Sequence, residues 1–303
     1  AAGTAAGAPS PKLQAYLDEV EKIRAPLLAD LPDEQADWTP AQHGRALMAD
    51  LLEFHRRNEK PQWWEMFART ELPFDDLLDS VDAIAGLAKL NGTVDEYEYP
   101  PQEIKFEAGE SAVWLEHPET ANVKVLEVDE DRRRVRLAPT KKSGKLPDAL
   151  SLGKGGPLDA GILKAALLRV GQSISDGDHR YRALEAVFEK QLPRLKGRKV
   201  GQHIVRDEQA PLEQTIDAVR RLDGSYLFIQ GPPGSGKTYT GSHVIAALLA
   251  QGKRVAVSSN SHKAINNLLR GVEEVLLKQG RRDVRAAKKC SRGDDATRLH
   301  GQI

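Results

Sequence analysis

Residues 225–238, Ser-Tyr-Leu-Phe-Ile-Gln-Gly-Pro-Pro-Gly-Ser-Gly-Lys-Thr, open on a compact apolar run and end in a glycine, four residues, then Gly-Lys-Thr. That spacing between an apolar strand and a helix is the pattern of a phosphate-binding loop. Gly234 and Gly236 permit backbone conformations that a Cβ would disfavour, so successive amides can converge on a phosphate. A helix starting near Lys237 adds the positive end of its dipole. Lys237 is the expected partner of the β- and γ-phosphates and Thr238 the expected Mg²⁺ ligand. The predicted nucleotide site is therefore Gly231, Pro232, Pro233, Gly234, Ser235, Gly236, Lys237 and Thr238.

Downstream, Lys237 to Ala250 reads as a helix closed by Gly252, and Arg254–Ser259 as a second apolar run. Ala264, Ile265, Leu268, Leu269, Val272, Val275 and Leu276 then make one apolar helical face before Gly280. Strand, helix, strand, helix is the opening of a parallel sheet covered by helices. Ligands of such sheets gather beyond the carboxyl ends of the strands. The loop at 231–236 and the polar stretch Ser259, Asn260, Ser261, His262, Lys263 should thus open on one edge. Short polar side chains at a helix N-terminus can grip a phosphate without reading a base. An ordinary helix cap by Asn260 or Ser261 is the structural alternative.

Upstream the pattern changes twice. Residues 1–11 are small residues and proline, a disordered lead-in. From 12 to 92 the spacing is helical, with Pro32, Pro40, Pro61 and Pro73 expected to cut it into short helices, and no strand signal. Between Pro100 and Pro139, residues 112–115, 122–128 and 133–137 are β-rich, with Asp129-Glu130-Asp131 as a turn. Val123, Val125, Val135 and Leu137 alternate with charged neighbours, the mark of antiparallel strands with one wet face. Residues 140–157 read as a flexible loop, and helices are predicted over 158–174 and 180–192. The resulting division is 1–11 lead-in, 12–92 helical region, 93–157 small β-barrel-like insert, 158–200 helical connector and 201–303 α/β domain.

Lysine plus arginine balance aspartate plus glutamate at 44 each, which conceals a local asymmetry. Residues 12–92 hold 16 acids against 9 bases, whereas 253–292 hold 11 bases against 3 acids, so the basic end can face phosphates. One cysteine, Cys290, excludes an internal disulfide framework and favours a reducing, cytoplasmic setting. No apolar run has the length of a membrane span. The first residue is alanine and the last are Gly301-Gln302-Ile303, which reads as a piece of a longer polypeptide.

Together, 225–238 and Arg254-Val-Ala-Val-Ser-Ser-Asn-Ser-His-Lys-Ala-Ile-Asn-Asn-Leu-Leu269 resemble motifs I and Ia of superfamily 1 helicases of the Upf type. His55-Arg-Arg-Asn-Glu-Lys-Pro-Gln-Trp-Trp64 and the β-rich segment after Pro100 are similar, less specifically, to the region joining a RecB-like nuclease to the helicase in bacterial nuclease-helicase fusions. The resemblance implies that residues 201–303 are the first part of a RecA-like ATPase, with ATP and Mg²⁺ as ligands. It implies single-stranded nucleic acid, in particular DNA, as partner, and 5′ to 3′ translocation coupled to a nuclease preceding residue 1. Gln214 is the candidate for the family's adenine-reading glutamine, though its spacing departs from the pattern. No apolar strand ending in Asp-Glu follows the loop, and Asp294-Asp295 is a poor substitute. The chain is therefore expected to bind nucleotide without Lys237-dependent turnover. Another P-loop phosphotransferase, an RNA helicase or a plain nucleotide-binding module are the competing readings.

Three remaining features invite structural readings first. Trp63, Trp64 and Phe67 form an aromatic cluster expected in a core rather than stacked on bases. His55 and His262 lack partners at metal-ligand spacing. Lys141, Lys142 and Lys145 read as a solvated loop.

Overall fold

The computed structural model describes residues 10–93, 95–118, 122–206, 210–290 and 297–301. Residues 1–9 of the predicted lead-in, Arg292 of the basic stretch and Asp294-Asp295 lie outside them. In chain order the elements are α1 (Pro11–Leu28), a 3₁₀ turn (Gln35–Asp37), α2 (Pro40–Leu51), α3 (Phe54–Thr70) and α4 (Phe74–Leu78). Strands β1 (Ala83–Lys89), β2 (Glu96–Glu98), β3 (Ser111–Trp114), β4 (Asn122–Asp129), β5 (Arg134–Ala138) and β6 (Ala149–Lys154) follow. Helices α5 (Gly161–Asp176), α6 (Arg182–Phe188), α7 (Pro211–Arg220), α8 (Lys237–Ala250) and α9 (His262–Lys278) complete the series. The fold is thus mixed α/β, with a six-stranded antiparallel sheet and helices. It divides into two compact units, one of Ala1–Arg24 and Ala49–Gly171, the other of Ala25–Met48 and Gln172–Ile303.

In the first unit the strands close into a barrel in the order β1-β2-β5-β4-β3-β6. The alternation along β4 and β5 does what it dictates. Val123, Val125, Val135 and Leu137 point inward and are buried, while Lys124, Arg134 and Arg136 stay outside. Tyr97, Tyr99, Phe106, Leu150 and Leu152 fill the interior with them. The Tyr97 hydroxyl donates to the Pro147 carbonyl at 3.0 Å, so the buried phenol keeps a partner, and burial raises its pKa.

Three strands fall where none is expected, the short β2 just ahead of Pro100 among them. β1 lies in the stretch 12–92 read as helical, and β6 in 140–157 read as a flexible loop; both pair with each other antiparallel and close the barrel. Ala83-Ile-Ala-Gly-Leu-Ala-Lys has no wet face to alternate against, because Leu77 and Leu78 of α4 pack with Ala83, Ala85 and Leu115 on the side away from the interior. A doubly covered strand loses its period-two signature. In β6, Leu150 and Leu152 face the interior but Ser151 and Gly153 between them are buried as well, so this strand too lacks a wet face to alternate against.

Three of the four prolines delimit elements: Pro40 opens α2, Pro73 precedes α4, and Pro32 stands between helices. Pro61 does not, lying inside α3. Pro61 and Arg57, the residue whose carbonyl loses its helical donor, are both exposed, which makes the interruption tolerable.

The second unit holds α6 to α9. The two apolar runs predicted as buried parallel strands, 225–230 and 254–259, form no strand among the described residues. Phe228 is 76% exposed and Ile229 44%. A strand exists only by exchanging N–H···O bonds with neighbours, and no described residue ladders with either run. The first run is anchored instead by single bonds, Tyr226 hydroxyl to the Gln191 carbonyl at 2.8 Å and Arg194 N–H to Ser225 Oγ at 3.1 Å.

Candidate functional site

The loop 231–236 turns directly into α8 at Lys237, as its spacing dictates. Gly234 and Gly236 have φ of 81° and 80°, the left-handed region that glycine enters without penalty. Neither has any atom within 4 Å of an added Cβ, so it is the backbone conformation and not crowding that calls for glycine. Ser235 N–H donates to the Pro232 carbonyl at 3.2 Å and tightens the turn. Lys237 Nζ reaches back across the loop to the carbonyls of Gly231, at 2.5 Å, and Pro232, at 2.7 Å. An ammonium resting on two carbonyls of its own loop can exchange them for a stronger anionic acceptor.

Gly236 caps α8 with no side-chain bond, so the first-turn amides of Lys237, Thr238 and Tyr239 have no intrahelical acceptor. With the helix dipole they form a positive, solvent-open end. Thr238, Pro233 and Ser235 are all exposed there.

Helices α8 and α9 pack closely. Ser242, buried in α8, donates to the Thr238 carbonyl at 2.8 Å and lies 3.5 Å from the Leu268 carbonyl of α9. Gly271 lies so near Ser242 that a Cβ there would collide with its hydroxyl. Beyond this contact Ala246 of α8 clusters with Val272, Val275 and Leu276 of α9, with Ile245 and Leu249 alongside. Later residues of one helix thus meet later residues of the other, so the two run parallel and their N-termini share one end. The loop 231–236 and the stretch 259–263 are therefore on the same side of the helix pair.

At that second N-terminus Ser261 is the cap, its Oγ accepting from Ala264 N–H at 3.3 Å, and Ser259 Oγ accepts from Ser261 N–H at 3.2 Å. Asn260 and Lys263 are exposed and His262 half-buried. The capping role anticipated for this stretch falls to Ser261. Lys288 Nζ stands 3.1 Å from His262 Nδ1 and donates to the Thr297 carbonyl, bringing a cation to the helix start that sequence spacing does not single out. Its only sequence signal is the run of bases from Arg281 to Lys289.

Gln214 sits in α7, but its amide is turned to its own chain. Oε1 accepts from Arg206 N–H at 2.7 Å and Nε2 donates to the Ala210 carbonyl at 3.2 Å. The aromatic cluster of α3 is not core: Trp63, Trp64 and Phe67 are 40%, 68% and 51% exposed, and Met66 is the buried residue of that helix. Burial of a single face of α3 leaves the opposite face, aromatics included, in solvent. Among the described residues no three His, Cys, Asp or Glu side chains gather as a metal site, and no helix is long and apolar enough to cross a membrane.

No protein-family model matches the chain. A search of characterised proteins finds similarity to the DNA replication ATP-dependent helicase/nuclease DNA2 of Saccharomyces cerevisiae, 40% identical over 57 residues. Those residues are 19% of this chain and span 4% of that protein's length. A short part of the chain is thus related to a helicase/nuclease.

Proposed function

We propose that residues 201–303 are the first part of a RecA-like ATPase of a superfamily 1, Upf-type helicase, which binds ATP–Mg²⁺ at 231–238 and single-stranded DNA at Ser259–Lys263. The observation that carries this proposal is the parallel packing of α8 and α9, which gives the phosphate-type loop and the polar stretch a common end. The short relationship to a helicase/nuclease supports it. The residues present fit a nucleotide triphosphate: two left-handed glycines, Lys237 bridging the loop and unpaired first-turn amides are the donors such a group needs. When bound, the nucleotide supplies the phosphoanhydride whose cleavage drives movement. Thr238, in the first turn of α8, would share in holding Mg²⁺, and Gln214 would need to release Arg206 and Ala210 to read adenine. The barrel of the first unit is the insert that such helicases carry ahead of the motor, and coupling to a nuclease belongs to the same proposal.

At the second loop, amides at the α9 N-terminus and the cations Lys263 and Lys288 would bind phosphates rather than bases, as a motor that walks over every sequence requires. Alanine at both Asn260 and His262 should weaken binding of labelled single strands of unrelated sequence alike, with Mg²⁺–ATP affinity nearly unchanged. Binding of all of them unchanged from the parent would reduce the stretch to the α9 cap that Ser261 already forms.

A further inference from the structure

The exposed face of α3 bears Arg57, Lys60, Trp64 and Phe67, at steps of three, four and three residues. Those steps place them in one stripe along a helix, spanning about 15 Å. All four are exposed, and Trp63 stacks beside Phe67 with ring centroids 6.0 Å apart. An aromatic platform of this size on solvent needs an occupant, since water is a poor one.

Charge identifies the occupant. Of the acids on this helix and at its start, Glu53 is taken by Arg56 and Glu59 by Lys164 at 2.7 Å. Arg57 and Lys60 form no ion pair among the described residues; Arg57 gives one donor to the Asp50 carbonyl and keeps the rest. Exposed Glu65 stands a residue away from Trp64, off the stripe, and Glu71 at its far end. Two uncompensated cations leading onto two stackable rings match a strand that alternates phosphates with bases. A protein-binding face would be depleted of lysine, whereas stacking on aromatics flanked by cations is how single strands are held without sequence preference.

We infer that the outer face of α3 is a second single-strand-binding surface, with Trp64 and Phe67 stacking on bases and Arg57 and Lys60 on the neighbouring phosphates. It rests on the proposal above that the partner is a single-stranded nucleic acid.

The test uses the whole chain and a labelled oligodeoxythymidylate, titrated by fluorescence anisotropy in a series of salt concentrations. Trp64→Leu keeps the apolar area but removes the strongest stacking ring, and Trp64→Phe retains a ring. Binding should fall about tenfold in Trp64→Leu and largely recover in Trp64→Phe. In Arg57→Gln with Lys60→Gln the salt dependence should lessen by about two phosphate contacts. If the Asn260 and His262 variant binds poorly while all α3 variants bind like the parent, the α3 surface is refuted and the motor proposal stands. Equal loss in Trp64→Leu and Trp64→Phe would also overturn stacking by Trp64. Absence of single-strand binding by the parent chain would overturn both.

Discussion

His179 and Lys237 show how single residues carry separate consequences. His179, at φ 53°, holds its Nδ1 2.7 Å from Glu185 Oε2, and that hydrogen bond, with the charge of Glu185, raises the imidazole pKa above its ordinary 6.5. A raised folded pKa stabilises the fold fully below pH 6.5 and loses that contribution as pH climbs through the raised value. Thermal unfolding of the parent against His179→Gln should therefore show the widest gap in acid and a narrowing one above pH 6.5; a gap independent of pH would deny the ion pair its role. Lys237 answers to a different test. Its identity and place were legible in the sequence, because glycine spacing and a following helix leave little choice of backbone. That its ammonium rests on the Gly231 and Pro232 carbonyls was not, since spacing fixes where a side chain starts and not what it touches.

Elements were legible in proportion to how one-sided their surroundings are. α8 and α9 begin where apolar period and capping residues place them, at Lys237 and His262. β4 and β5 could be read because each has one wet face. β1, covered on both sides, and the runs at 225–230 and 254–259, where no ladder forms among the described residues, could not. The closest helix contact is a prediction in its own right. Gly271 admits Ser242, so Gly271→Val would force α8 and α9 apart and should destabilise the second unit by about 1–3 kcal/mol, read by denaturant midpoint. Gly252→Ala, a glycine at φ 71° with nothing nearby, should cost less and leave the helix pair intact. Equal effects from the two would show that close approach is not what Gly271 provides.

At the scale of the molecule, two units of different chemistry share a chain. One is an antiparallel barrel closed by strands from regions that look helical or loop-like; the other is a helical assembly whose parallel pair gathers two polar loops. The sequence asymmetry in charge anticipates the second, where bases dominate 253–292. The barrel core carries its own prediction: Leu152→Ala, fully buried between β1 and β3, should destabilise the first unit by about 2–5 kcal/mol in equilibrium unfolding, and a loss below 1 kcal/mol would mean the barrel closes without it. The central claim is that 231–238 binds a nucleotide triphosphate. Isothermal titration of the chain with Mg²⁺ and a non-hydrolysable ATP analogue addresses it directly. The parent should bind at one site and Lys237→Ala should lose at least tenfold in affinity with its unfolding curve unchanged, whereas no binding by the parent, or equal binding by the two, would contradict it.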